Sequence, residues 1–171
     1  MTLSMYQASV PVFVRMLNNI SAILDKAVHH AAQRKIEPSV LLGTRLFPDM
    51  FPLLRQVQLT SDFAKGTAAR LAGAEVPKFP DTETSFEDLK ARITRTIDFV
   101  KNFKPGQIDG SEEREITIPI GGQPHSFKGQ AYLLHQAMPN FYFHATATYA
   151  ILRHCGVEVG KRDFLGPFDT I

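Results

Sequence analysis

The chain has 171 residues, 44% hydrophobic and 21% charged, with Lys+Arg 19 against Asp+Glu 17 and a formal net charge of +2. That length suits one domain, residues 1–171, and the near balance of charge, with no basic cluster beyond Arg34-Lys35 and Lys161-Arg162, excludes an evident nucleic-acid footprint. The single cysteine, Cys155, excludes an internal disulfide and every Cys-pair metal motif, and suits a reducing compartment.

The N-terminal stretch MTLSMYQASVPVFVRML lacks a basic segment followed by an unbroken apolar run and a small-residue cleavage site. No window approaches the ~20 apolar residues of a membrane span. A cytoplasmic protein without a membrane or nucleic-acid partner is therefore expected. From about Ser4 to Gln33, apolar residues recur at Phe13, Met16, Leu17, Ile20, Ile23, Leu24, Ala27 and Ala31, the stripe of a first helix. Pro11 either kinks that helix or marks its start. His29 and His30 are adjacent, so their side chains diverge, and a solvated surface is the reading for both.

A connection with three prolines, KIEPSVLLGTRLFPDMFPLL, leads to a second helix over about Pro52 to Leu71. AGAEVPKFPDTET breaks it, and SFED then has the spacing of a capping box that opens a third helix at Ser85. In EREITIPIGGQPHSF, Ile116, Ile118 and Ile120 alternate with Thr117 and Pro119, which predicts a strand with one buried face. Gly121-Gly122 suits a two-residue hairpin turn, and Pro119 and Pro124 confine the strands to short or edge positions. His125 is expected to be exposed. A fourth helix spans about Gly129 to His154, bent at Pro139 and closed by Gly156. The pattern predicts an all-α four-helix bundle with a small β-hairpin between the third and fourth helices.

On the fourth helix, with about 100° per residue, Phe143, Ala147, Ala150, Ile151 and Cys155 fall within roughly 80° of Asn140. Asn140 and His144 then stack on the apolar face. An amide and an imidazole cost on the order of 1 to 3 kcal/mol each when buried without partners. Either they satisfy each other and a neighbouring helix, or they belong to a site in the bundle core. The second helix offers partners, with Ser61 in the stripe, Gln58 at its margin and able to turn inward, and Asp62 further out. Tyr6 and Ser9 offer hydroxyls from the first helix, and His135 is a minor candidate. Cys155 and His154 diverge along the helix, and the negative end of the helix dipole raises a thiol's pKa, so a catalytic cysteine is not expected. No hydrolase elbow, P-loop, dinucleotide or zincin motif is present.

The fourth-helix pair, ending some residues later in Leu-Arg-x-x-Gly, resembles the DinB/YfiT-like superfamily. SMYQASVPVFVRML, FPDMFPLLRQVQ, FAKGTAARLAG and PNFYFHATATYAILRHCGVEVGKRDFLG are similar to an uncharacterised DinB-related bacterial family, catalogued as a domain of unknown function. The superfamily resemblance implies a metal-binding bundle, in some members a thiol-dependent transferase or isomerase. Its metal site takes one histidine from the second helix and an H-x-x-x-H pair from the fourth. Here the pair's second position is His144 and its first is Asn140, while the second-helix position falls near Gln58. Amide oxygens suit hard cations better than zinc or nickel. A divalent metal would need a carboxylate such as Asp62, and none is expected to be tightly bound.

Three functions follow. One is a binding module whose Asn140, His144 and Gln58 line a polar pocket for a small molecule. The second is a divergent metal-dependent enzyme, thiol transferase-like, with His144 as a ligand. The third is a structural protein whose buried pair specifies packing. A homodimer is expected, with Leu59 and Phe63 on the outer side of the second helix as an apolar strip. The C-terminal VGKRDFLGPF reads as a tail anchored by Phe164, Leu165 and Phe168, with Lys161 and Arg162 solvated.

Overall fold

The structure, a computed structural model, describes residues 4–167. It is mostly helical, with one two-stranded antiparallel sheet. The helices are α1 (Val10–Arg34), α2 (Pro38–Gly43), α3 (Leu53–Ala72), α4 (Phe86–Lys101), α5 (Pro105–Ile108), α6 (Gly129–Ala131), α7 (Met138–His154) and α8 (Lys161–Leu165). The strands are β1 (Glu115–Ile120) and β2 (Gln123–Lys128). A π-helical segment, Tyr132–Ala137, joins α6 to α7.

Several expectations shift. The first helix begins at Val10, not Ser4, because Pro11 occupies its opening turn, where a missing N–H costs no hydrogen bond. The Pro-rich connection holds α2, in keeping with one short helical turn there, whereas α5 in the segment after α4 is unexpected. The capping box at α4 forms: the Asp88 amide donates to Ser85 Oγ at 3.1 Å, and the Ser85 amide donates to Asp88 Oδ2 at 3.0 Å. These bonds hold the Asp88 carboxyl below its ordinary pKa, the contact with the Thr84 amide contributing most. In the hairpin, Gly121 and Gly122 adopt φ of 58° and 81°, the left-handed pair that a tight turn requires. Ile116 and Ile118 are buried, but Ile120 is exposed, because it pairs with Gln123 at the turn, beyond the reach of the core. The interruption or bend expected at Pro139 falls earlier, as the π segment, and Pro139 sits in the opening turn of α7.

α1 packs on α4, α4 on α3, α3 on α7 and α7 on α1. Their buried faces merge into one apolar cluster. Phe13 of α1 and Phe141 of α7, both fully buried, meet edge to face with ring centroids 4.9 Å apart. Full burial of such a ring stabilises by roughly 1.5–3 kcal/mol. The buried face of α7 keeps the expected His144, Ala147 and Ile151 and adds Phe141, Ala145, Thr148 and Leu152, so its centre is turned by most of one residue from Asn140. Phe143 lies outside it, 57% exposed.

The C-terminal segment straps α1. Arg15 donates to the carbonyls of Leu165 and Pro167, Asn19 Nδ2 donates to the Phe164 carbonyl, and Lys26 pairs with Asp163 at 2.7 Å. Phe164 packs edge-on against Tyr149. Phe168, the third expected anchor, lies outside the described residues. No helix among the described residues is long and apolar enough to cross a membrane.

Candidate functional site at His144

His144 projects from α7 towards α3 and is buried, 8% exposed. Its Nδ1 lies 2.8 Å from Gln56 Oε1. The amide of Gln56 is oriented from its other end, where Nε2 donates to the Phe51 carbonyl at 3.1 Å. With its nitrogen committed there, Gln56 presents only an acceptor to the imidazole. Nδ1 therefore carries the proton, and Nε2 holds the lone pair. Nε2 makes no hydrogen bond within the described residues and is not sealed from the surface. Phe63 stacks on the ring at 5.5 Å, and Phe143 meets it edge-on at 5.3 Å. Burial, helped by the charge of Arg55, pushes the imidazole pKa down to about 4. At neutral pH His144 is an uncharged imidazole with one oriented acceptor.

The hydrogen bonds divide the residues that the sequence grouped. Asn140 is half-buried and its amide donates back to the Gln136 carbonyl at 2.6 Å, within its own helical segment. Gln58 is buried but turns the other way: its Nε2 donates to Glu83 Oε2 at 2.8 Å, and its Oε1 accepts from Arg55 at 3.1 Å. Residues two apart on a helix point to nearly opposite sides. The α3 residue bonded to His144 is therefore Gln56, which the sequence reading passed over. Ser61 is buried with its hydroxyl unpartnered, and Asp62 is engaged by Lys65 and Arg92. Tyr6 and Ser9 precede α1, where the Ser9 hydroxyl donates to the Met5 carbonyl. His135 and His125 are exposed, as are His29 and His154, while His30 and Cys155 are partly buried.

The donor set does not fit the superfamily's metal triad. It holds one imidazole; the Asn140 and Gln56 amides and the Gln58 amide already have partners within the chain. Among the described residues no three His, Cys, Asp or Glu side chains converge as a metal would require. A cavity of about 1070 Å³ lies elsewhere, bordered by His29, His30, Arg153 and Asp163, and includes neither Asn140 nor His144.

A second polar cluster gathers around a buried arginine of α4. Arg92 of α4, with its side chain wholly buried, reaches Glu83 and Asp62 at 3.0 and 2.9 Å, and Asp81 at 3.0 Å. Burial works against its charge, but the Glu83 and Asp62 carboxylates more than offset that and raise its pKa. The period of α4 sets Arg92 beside Ile93 and Thr96 on the inner face, where α3 supplies Asp62 and the loop over 73–85 supplies Asp81 and Glu83.

These features define a mostly helical protein of DinB-like type with one oriented, uncharged histidine between α3 and α7. The chain belongs to the family described as a domain of unknown function (DUF1993), which matches residues 5–165. It is also similar to a solved structure of a DinB family member from Shewanella denitrificans, at 39% identity and a TM-score of 0.89, covering 97% of this chain and 94% of that one. No curated protein matches the chain.

Proposed function

We propose that this chain is a DinB-type four-helix bundle, one domain with its hairpin between the third and fourth long helices, that binds a small molecule through His144 without a tightly held metal. The observation that carries the reading is the Nε2 acceptor: its lone pair is oriented by Gln56, unused among the described residues, and flanked by aromatic rings. A ligand with an O–H, N–H or S–H donor on an apolar body suits that combination. Asn140, one turn before His144 on α7, and Gln58, bonded to Arg55 on α3, belong to the proposed ligand site as residues around the histidine. A metal-bound His144 in a divergent enzyme is a weaker reading, because the remaining donors are amides already engaged. A purely structural role is favoured by one observation, the inward bond of Nδ1, and it predicts that Nε2 meets nothing but solvent.

The test is nuclear magnetic resonance of ¹⁵N-labelled imidazole during titration with phenol, a donor on an aromatic body, and separately with zinc followed by desalting and elemental analysis. A saturable shift of His144 Nε2 with phenol and no retained zinc is the expected result. Zinc near one per chain, lost in His144→Ala, would replace this reading with the metal-dependent one. No response to phenol would leave the structural role as the better account.

Exposed Leu46, Phe47, Phe51 and Phe143 support the homodimer as part of the proposal, since half-buried Leu59 and Phe63 face inward too far to serve alone. The lone cysteine supports a cytoplasmic setting.

A further inference from the structure

Away from His144, α3 and the loop after it border an open cavity of about 600 Å³ whose borders include Lys65, Arg70 and Lys78 as cations and Asp62 and Asp81 as carboxylates. The two carboxylates are already neutralised. Asp62 Oδ1 lies 2.9 Å from Lys65 Nζ and 2.9 Å from Arg92 Nη2, and Asp81 is held by Arg92 and Arg55. Arg70 and Lys78 have no acidic partner among the described residues. Of the cavity's own borders, the three cations Lys65, Arg70 and Lys78 meet two carboxylates, Asp62 and Asp81, both of which also pair with Arg92 behind them, so positive charge is in excess.

The cations are also positioned. Lys65 is buried, with its ammonium 4.1 Å from the centroid of the Phe79 ring. Arg70 lies back along α3 over Gly66, where a Cβ would come within 2.5 Å of Nη1. The same Nη1 donates to the Tyr132 hydroxyl at 3.2 Å. Tyr132 opens the π segment, the kind of helical irregularity that recurs where a side chain is re-aimed. With Nη1 so tethered, Arg70 keeps its remaining N–H groups for a planar or tetrahedral oxyanion.

We infer that this cavity is an oxyanion site, taking a carboxylate or phosphate group on Arg70, with Lys65 and Lys78 completing the charge. It does not depend on what His144 binds. The test is isothermal titration of the intact chain with inorganic phosphate and, separately, with succinate, at an ionic strength fixed by sodium chloride so that screening is constant. Saturable binding of either probe is expected, weakened about tenfold or more in Arg70→Gln, as loss of a charge-assisted contact implies. Gly66→Ala, which keeps the charge but displaces the guanidinium, is expected to weaken it too. Binding of phosphate alone assigns a phosphoryl group, and of succinate alone a carboxylate. Absence of saturable binding by both probes in the folded wild type overturns the assignment, as does binding of equal strength in Arg70→Gln. Should that variant not fold, Lys78→Gln on the exposed loop makes the same comparison and is read the same way.

Discussion

Gln56 and His144 share one hydrogen bond of 2.8 Å across the α3–α7 interface, and the Phe51 carbonyl at the other end of the Gln56 amide decides which atom gives the proton. If that relationship holds the imidazole neutral, its resonances should not titrate between pH 8 and 5.5. A midpoint near the ordinary value of 6.5 would show that the ring is hydrated and that the depression to about 4 is absent. The sign for stability follows. The unfolded chain takes up the His144 proton at higher pH than the folded one, so this contribution is complete above about pH 6.5 and declines as the pH falls towards 4. A loss on the order of 2 kcal/mol over that window, missing in His144→Gln, is expected from urea denaturation.

Replacing the acceptor gives an independent check. Gln56→Leu strands the Nδ1 proton in an apolar interface and should cost about 1–3 kcal/mol. Made together with His144→Phe, it should cost less than the two single changes added, and a double-mutant cycle by denaturant titration measures the difference. Strict additivity would mean that the two side chains do not interact in solution.

Arg92 is the residue whose loss should matter most among the charged ones. Arg92→Met leaves Glu83 buried without its guanidinium partner, and breaking one side of such a buried network costs about 3–5 kcal/mol. Arg92→Lys should recover little, since one ammonium cannot span Glu83, Asp62 and Asp81. Chemical denaturation of both variants checks this; a lysine variant as stable as wild type would contradict it.

Gly129 is a steric prediction. A Cβ there would stand 2.0 Å from the Ser111 carbonyl oxygen, where the obstacle is backbone and cannot swing aside. Gly129→Ala should lower the melting temperature markedly, whereas Gly106→Ala, with nothing within 4 Å of its added Cβ, should leave it within error.

What the sequence made legible was local. SFED announced its capping box because both partners lie within one turn, and GG announced the strand pair because only a left-handed turn demands two glycines together. His144 could be placed on an inner face by period alone. Its partner could not, since Gln56 and Gln58 are both buried and only their tertiary neighbours distinguish them. The inward turn of Gln58 depends on Glu83, which arrives from a loop without periodicity. The inner face of α7 is turned away from Asn140 and Phe143, since Asn140 bonds back to its own helical segment while Thr148, polar but satisfied, takes an interior place beside His144. Arg92 is the extreme case, a charge that the period put inside and composition would put outside.

The π segment has a consequence for the length of the chain. A π turn holds one more residue than the α turn it replaces, so deletion of a single residue there can be absorbed by reversion to α geometry. A deletion within α7 itself would instead rotate every later side chain by about 100°. The six residues from Tyr132 to Ala137 are therefore where this helix can lose a position while His144 stays in phase with Gln56, although Tyr132 would lose its alignment with Arg70. Length variation at this point would separate the two ends of the molecule: the histidine would keep its setting, and the arginine would not.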